Sequence, residues 1–162
     1  MILGTKARYA VMAMVELAGH AAGKPVRLEE LAEAQEITVP YLEQIFSKLK
    51  RSGLVKSIRG PGGGYVLALA ADDIRISHIV EAVDESLKMT RCDSHKETGC
   101  MAGKARCLTH DLWEGLGRQI YHYLHSITLA DVRSRRGIRG SGNQVIGEKN
   151  FLLPRSPDHP IP

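Results

Sequence analysis

Three cysteines and a histidine, Cys92, Cys100, Cys107 and His110, are the residues of this sequence best suited to chemistry. They include every thiol of the 162-residue chain, and the stretch that holds them reads C-D-S-H-K-E-T-G-C-M-A-G-K-A-R-C-L-T-H. The residues between them are polar and glycine-containing, with no helical or strand period, so burial alone cannot organise the stretch. An inorganic centre is the better organiser. Three thiolates and an imidazole complete a four-ligand set that suits zinc or an iron-sulfur cluster, whereas magnesium and calcium take oxygen ligands. Incidental or core thiols are the plainer reading, and the clustering and the trailing His110 count against it. The odd count and the lack of a secretion signal at Met1 to Lys6 argue against disulfides and make cytoplasmic the expected location. His95 is a second imidazole in the stretch and ranks below His110.

The elements that must position this set read as helices. Residues 4 to 22, with Thr5 as cap, leave only a narrow polar stripe and mark a largely buried helix. Arg27 to Gln35 places Leu28, Leu31 and Ala32 on one face and Glu29, Glu30 and Glu33 on the other. After a turn at Glu36 and Ile37, a third helix starts with Thr38 as cap and Pro40 in its first turn. It sends Leu42, Ile45, Phe46 and Leu49 inward and Tyr41, Gln44, Ser47, Lys48 and Arg51 outward. Two short helices joined by a tight turn, the second basic on its free face, follow the helix-turn-helix plan. Leu54 to Ile58 and Tyr65 to Ala68 then read as strands around Arg59-Gly60-Pro61-Gly62-Gly63-Gly64, the wing of a winged helix. No Gly-Lys-Ser/Thr follows this glycine run, so it is not a nucleotide loop; its bare backbone, with Gly60, Gly62 and Gly63, suits close approach to phosphates.

Charge agrees with that plan. Lys48, Lys50, Arg51, Lys56 and Arg59 fall within twelve residues that hold no acid, which points to a polyanion. The longest apolar run, Ala10 to Leu17, is broken by Glu16 and is far short of the roughly 20 residues of a membrane span. Residues 72 to 83 predict a helix capped by Asp72, Asp73 or Ser77. Beyond the cysteines, Leu108, Leu112, Trp113, Leu116, Ile120, Tyr123, Leu124 and Ile127 repeat at three and four residues through a helix of roughly 18 residues. That stripe predicts packing against a second copy of the chain. Residues 133–162 have no period and read as a disordered tail. No nucleophile with a neighbouring base, carboxylate pair or phosphate loop appears outside the cysteine cluster, so neither an enzyme nor a small-molecule substrate is expected.

Lys6-Ala7-Arg8-Tyr9-Ala10-Val11, Tyr41-Leu42-Glu43-Gln44-Ile45-Phe46, the wing Arg59 to Tyr65, Ala82-Val83-Asp84-Glu85-Ser86 and Cys107-Leu108-Thr109-His110 together resemble the IscR family, the iron-sulfur cluster regulators among bacterial winged-helix transcription regulators. The likeness spans residues 1 to 132. It implies a homodimer that binds a 2Fe-2S cluster through Cys92, Cys100, Cys107 and His110, meets duplex DNA through Tyr41, Glu43, Gln44 and Arg59, and controls cluster-assembly genes. The cysteine gaps, seven and six residues, are longer than the family pattern.

The expected fold is thus mainly α with a small β wing: a winged helix-turn-helix DNA-binding domain over 1–83, a cluster-binding loop over 84–110, a dimerisation helix and a short C-terminal helix over 108–132, and the tail. Thr38, Tyr41, Glu43, Gln44, Ser47, Lys48, Arg51, Arg59, Gly60, Gly62 and Gly63 form the candidate DNA-binding set. Structural zinc on the same fold is one alternative. The C-x7-C-x6-C-x2-H spacing also lies close to Cys3His RNA-binding fingers, but the loop lacks aromatics for base stacking.

Overall fold

The structure, a computed structural model, describes residues 4–20, 23–84 and 106–134. Its centre is α1 (Thr5–Gly19), whose Ala7, Ala10, Ala13, Met14, Leu17 and Ala18 are buried. Ala7, Ala10 and Ala13 fall three residues apart, so neighbouring elements can approach the helix closely. The expected Thr5 cap is corrected. Gly4 holds the cap position without a side-chain bond, and the helix ends at Gly19 because His20 turns extended.

Against α1 pack α2 (Leu28–Gln35) and α3 (Val39–Arg51). Glu36 ends α2 in the left-handed region, with φ 53, and donates its N–H to carbonyls of the last turn. The chain can then enter α3 after two residues. Pro40 stands in the first turn of α3, where its missing N–H costs nothing. Leu42, Ile45, Phe46 and Leu49 are fully buried, as their spacing predicts. Two strands follow, β1 (Val55–Ile58) and β2 (Gly64–Leu67), antiparallel with Val55 opposite Leu67 and Ile58 opposite Gly64. A backbone bridge from Val26 to Tyr65 ties this hairpin to the start of α2. Inside, the Phe46 and Tyr65 rings meet edge to face at 4.9 Å. The alternation expected over 54–58 is only partial, since Leu54 and Val55 are both buried and Ile58 is exposed.

Next comes α4 (Ile76–Ala82), with Ile76, Ile79, Val80 and the following Val83 in the core. Neither Asp72, Asp73 nor Ser77 caps it. Arg75 holds the cap position, and its backbone pairs with Thr128 across an antiparallel bridge. Ile76 N–H donates to Ile127 O at 3.0 Å, and Leu129 N–H to Ile74 O at 2.8 Å. The long helix α5 (His110–Ser126) therefore ends by feeding the chain back into the core, and α6 (Leu129–Ser134) packs on α1. Arg133 donates to Ala18 O at 2.6 Å, satisfying a carbonyl in the last turn of α1. No helix among the described residues is long and apolar enough to cross a membrane.

The start of α6 is a reciprocal cap. Thr128 donates its N–H and hydroxyl to Asp131 Oδ2 at 3.0 and 2.7 Å, and Asp131 N–H donates to Thr128 Oγ1 at 3.0 Å. Those bonds hold the Asp131 carboxyl below its ordinary 3.8. A carboxylate depressed in the folded state adds stability above its unfolded pKa and loses it as pH falls through the folded value. Asp131→Ala is therefore expected to melt below the wild type at neutral pH. The gap should narrow as the pH drops below 3.8, read by circular dichroism across a pH series.

Candidate DNA-binding face and metal centre

The turn after α2 fixes how α3 is presented. Its apolar side faces the core, so Glu43, Gln44, Ser47 and Arg51 stand exposed along the other, with Thr38 exposed at its N-cap and not engaged in a cap bond. Tyr41 is half-buried, its ring edge-on to Tyr9 at 5.9 Å. A helix of 13 residues is about 20 Å long, a length the major groove accepts.

The wing lies beside this face. A groove of about 480 Å³ is bounded by Arg27, Leu28 and Glu29 at the start of α2, by Glu43 of α3, and by the turn from Gly60 to Tyr65. Gly60 and Gly62 take φ of +102 and +78, a region that L side chains rarely adopt. Arg59, Gly60 and Gly62 are exposed and Gly63 is half-buried. The structure thus brings Glu43, Gly60, Gly62 and Gly63 to one groove, and sequence reasoning had singled out neither Arg27 nor Glu29 there.

The lysines of α3 have partners outside the helix. Lys50 donates to Ser57 Oγ on β1 at 2.6 Å. Lys48 is ion-paired with Asp84, the residue after α4, and the shared hydrogen bond holds the ammonium above its ordinary range and the carboxyl below its own. Asp84 takes a φ of 60, which few non-glycine residues adopt, and it stands where the segment 85–105 begins.

Of the four candidate ligands, Cys92 and Cys100 lie outside the described residues, as does His95. Cys107 is half-buried, with Sγ 3.6 Å from Thr109 Oγ1, and its carbonyl accepts from His110 N–H at 3.0 Å. That short turn sets Cys107 and His110 at the mouth of α5. His110 is only 5% exposed, its Nε2 is 3.4 Å from Glu114 Oε2, and its Nδ1 is buried with no hydrogen-bond partner among the described residues. A buried ring nitrogen left open, in a residue whose backbone is bonded to that of Cys107, fits a metal or cluster ligand, and a thiolate with an imidazole fits both zinc and iron. Ligand-capable atoms of His110, Asp111 and Glu114 also lie within 4.8 Å of one another.

Below that mouth, much of the apolar stripe of α5 stays exposed, while Ile120 is half-buried and Leu124 packs against the core. Leu112 is 65% exposed, and Leu108, Trp113, Leu116 and Tyr123 are exposed as well. Ile127 leaves the stripe, because the helix ends at Ser126 and Ile127 turns into the core.

The Rrf2 family, described as an iron-dependent transcriptional regulator, matches residues 3–135. The chain is 47% identical over 138 residues to the HTH-type transcriptional regulator IscR of Erwinia tasmaniensis, covering 85% of this chain and 82% of that protein. It is 48% identical over 132 residues to the IscR of Aliivibrio salmonicida, covering 82% and 77%. Among solved structures, T. potens IscR aligns at 34% identity with a TM-score of 0.67, covering 91% of this chain and 94% of that one. CymR, the global cysteine regulator of B. subtilis, aligns at 31% with the same TM-score, covering 83% and 98%. A winged helix with an exposed reading helix, matched along its length by these regulators, places the chain in the Rrf2 family of DNA-binding transcriptional regulators.

Proposed function

We propose that this chain is an iron-sulfur-sensing regulator: a homodimer that holds a 2Fe-2S cluster through Cys92, Cys100, Cys107 and His110 and binds operators of cluster-assembly genes according to that occupancy. The observation that carries the reading is His110, an imidazole almost wholly buried three residues after Cys107, with Nδ1 meeting no partner among the described residues. The relatives named IscR and the family's description as iron-dependent support it. When bound, the cluster supplies a one-electron couple and an occupancy that can be lost.

The chain's own residues do the rest. A neutral imidazole in the place of a fourth thiolate leaves the site one negative charge lighter, which raises its potential. The segment 85–105 begins at Asp84, paired with Lys48 of α3, and leads to Cys107 and His110 at the start of α5. Ligation through Cys92, Cys100, Cys107 and His110 therefore acts between the Lys48–Asp84 pair and the start of α5, and biases both the reading helix and the helix whose exposed stripe a second copy covers. Glu43 stands in the groove shared with the wing, where a carboxylate accepts from a cytosine amino group or repels phosphate. Small changes of approach decide between these, so Glu43 selects among operators. Thr38, Tyr41, Gln44, Ser47, Lys48, Arg51, Arg59, Gly60, Gly62 and Gly63 complete the DNA-binding face.

Anaerobic purification, an absorption spectrum, and iron, sulfide and zinc analysis test the reading. Cys92→Ala and His110→Ala are expected to abolish visible absorption and change operator preference while the protein stays folded and dimeric, since the winged helix has its own core. Stoichiometric zinc without iron would make the site structural. Colourless, iron-free protein that holds its operators as before would remove the sensing function.

A further inference from the structure

We infer that Glu114 is the positioning residue of the ligand site: it keeps the proton of His110 on Nε2 and so leaves Nδ1 as the nitrogen that meets the metal. The inference rests on the ligand set proposed above.

A neutral imidazole has one N–H and one lone pair, and which nitrogen carries the proton follows from what each one faces. Here the two nitrogens face different surroundings. Nε2 lies 3.4 Å from Glu114 Oε2, and an ionised carboxylate only accepts. Nδ1 is buried and meets no partner among the described residues. With the proton on Nε2, the N–H faces an acceptor and the open lone pair sits where a Lewis acid can take it. The other tautomer would turn a lone pair toward a carboxylate and bury an N–H with no acceptor. The contact with Glu114 turns from attraction to repulsion, and an unpaired lone pair at Nδ1 is exchanged for an unpaired N–H.

Glu114 is held for this task. It lies four residues after His110 on α5, so the two side chains share a face, and its other oxygen is 3.8 Å from Arg118 Nη2, four residues further on. His110, Glu114 and Arg118 form a line along the helix, from a buried ring to an exposed guanidinium. A carboxylate behind a ligating histidine fixes its ring and raises its basicity, and its loss usually weakens metal binding 10- to 100-fold. Asp111 is the competing carboxylate, within the same 4.8 Å group.

The test uses the full chain. In ¹⁵N-labelled, reduced, metal-free protein at about pH 8, where free imidazoles are neutral, two-bond ¹H–¹⁵N correlations read the His110 tautomer, assigned with His110→Gln. Wild type and Asp111→Asn are expected to show Nε2–H alone, and Glu114→Ala both tautomers. Glu114→Gln, whose amide oxygen still accepts, should restore the wild-type pattern. After loading with iron and sulfide, Glu114→Ala should lose iron to a chelator at roughly 10- to 100-fold lower concentration than wild type. An Nδ1–H tautomer in the wild type, or a Glu114→Ala protein unchanged in tautomer and iron retention, overturns the assignment. Wild-type protein that takes up no iron overturns the ligand set itself, and iron analysis reads this before any variant is compared.

Discussion

Phe46→Ala is expected to destabilise the fold by about 3 to 5 kcal/mol, a large share of the 5 to 15 kcal/mol or so that holds a typical domain together. Phe46 is among the largest fully buried side chains and lies on the inner face of α3 with Leu42, Ile45 and Leu49. Its removal empties space at the junction of α3, β1 and β2, where the backbone is committed to helix and hairpin and cannot collapse to fill it. The ring also meets Tyr65 edge to face at 4.9 Å, a geometry that adds about 0.5 to 1.5 kcal/mol to simple burial. Phe46→Leu separates the two contributions, because it keeps most of the volume and loses the edge contact. Its expected cost is about 1 to 1.5 kcal/mol. Urea midpoints followed by circular dichroism give both values. Equal costs for the two variants would mean that the pair with Tyr65, rather than the filled volume, holds α3 to the wing.

Why this much could be read from the sequence is clear from α3 itself. Its four core residues repeat at three and four positions, and the glycine run of the wing states its own turn, so both are encoded within a dozen residues. The helix starts are encoded elsewhere. Ser77 looked like a cap from its place before an apolar run, but its hydroxyl lies 3.0 Å from His125 Nδ1 on α5, and the cap position at Arg75 is occupied by a bridge to Thr128. A partner some fifty positions away leaves no local trace. The same holds for Lys48, which reads as an outward-facing base of α3 and whose partner is Asp84, the residue after α4. Ile127 kept the period of α5 and yet belongs to the core, because nothing in that period tells where the helix stops. At the metal site, the Cys107–His110 turn is local and was legible; that His110 is buried with an open nitrogen depends on the packed chain around it. Glu114 stands at a readable spacing from His110, and only the orphaned Nδ1 gives that spacing a meaning.

Gly64→Ala is expected to cost about 2 to 4 kcal/mol and to take the wing out of its place beside α3. The reason is backbone against backbone. A methyl at residue 64 would sit 2.6 Å from the Val26 carbonyl carbon and closer still to its oxygen, and no rotamer can relieve that. The strand must move away from Val26, which breaks Tyr65 N–H to Val26 O at 2.8 Å and Val26 N–H to Tyr65 O at 3.0 Å. Each is worth about 0.5 to 1.5 kcal/mol net, and Tyr65 is drawn off Phe46 as well. The effect on DNA follows from the hairpin, since β1 and β2 carry Arg59 and the glycine turn that borders the groove with Glu43. Each lost phosphate contact lowers the slope of log affinity against log salt by about 0.9. Gly53→Ala, in the turn that leaves α3 and outside the DNA-binding set, is the control. Its φ of +74 makes a side chain strained, by about 1 to 2 kcal/mol, but a methyl there meets nothing within 4 Å, so the hairpin keeps its seat on Val26. Titrations of duplex DNA at several salt concentrations should therefore give Gly53→Ala a slope near the wild type and Gly64→Ala a shallower one. If Gly64→Ala, with its hairpin displaced, binds with the wild-type slope, the wing makes no phosphate contact and α3 reads DNA without it.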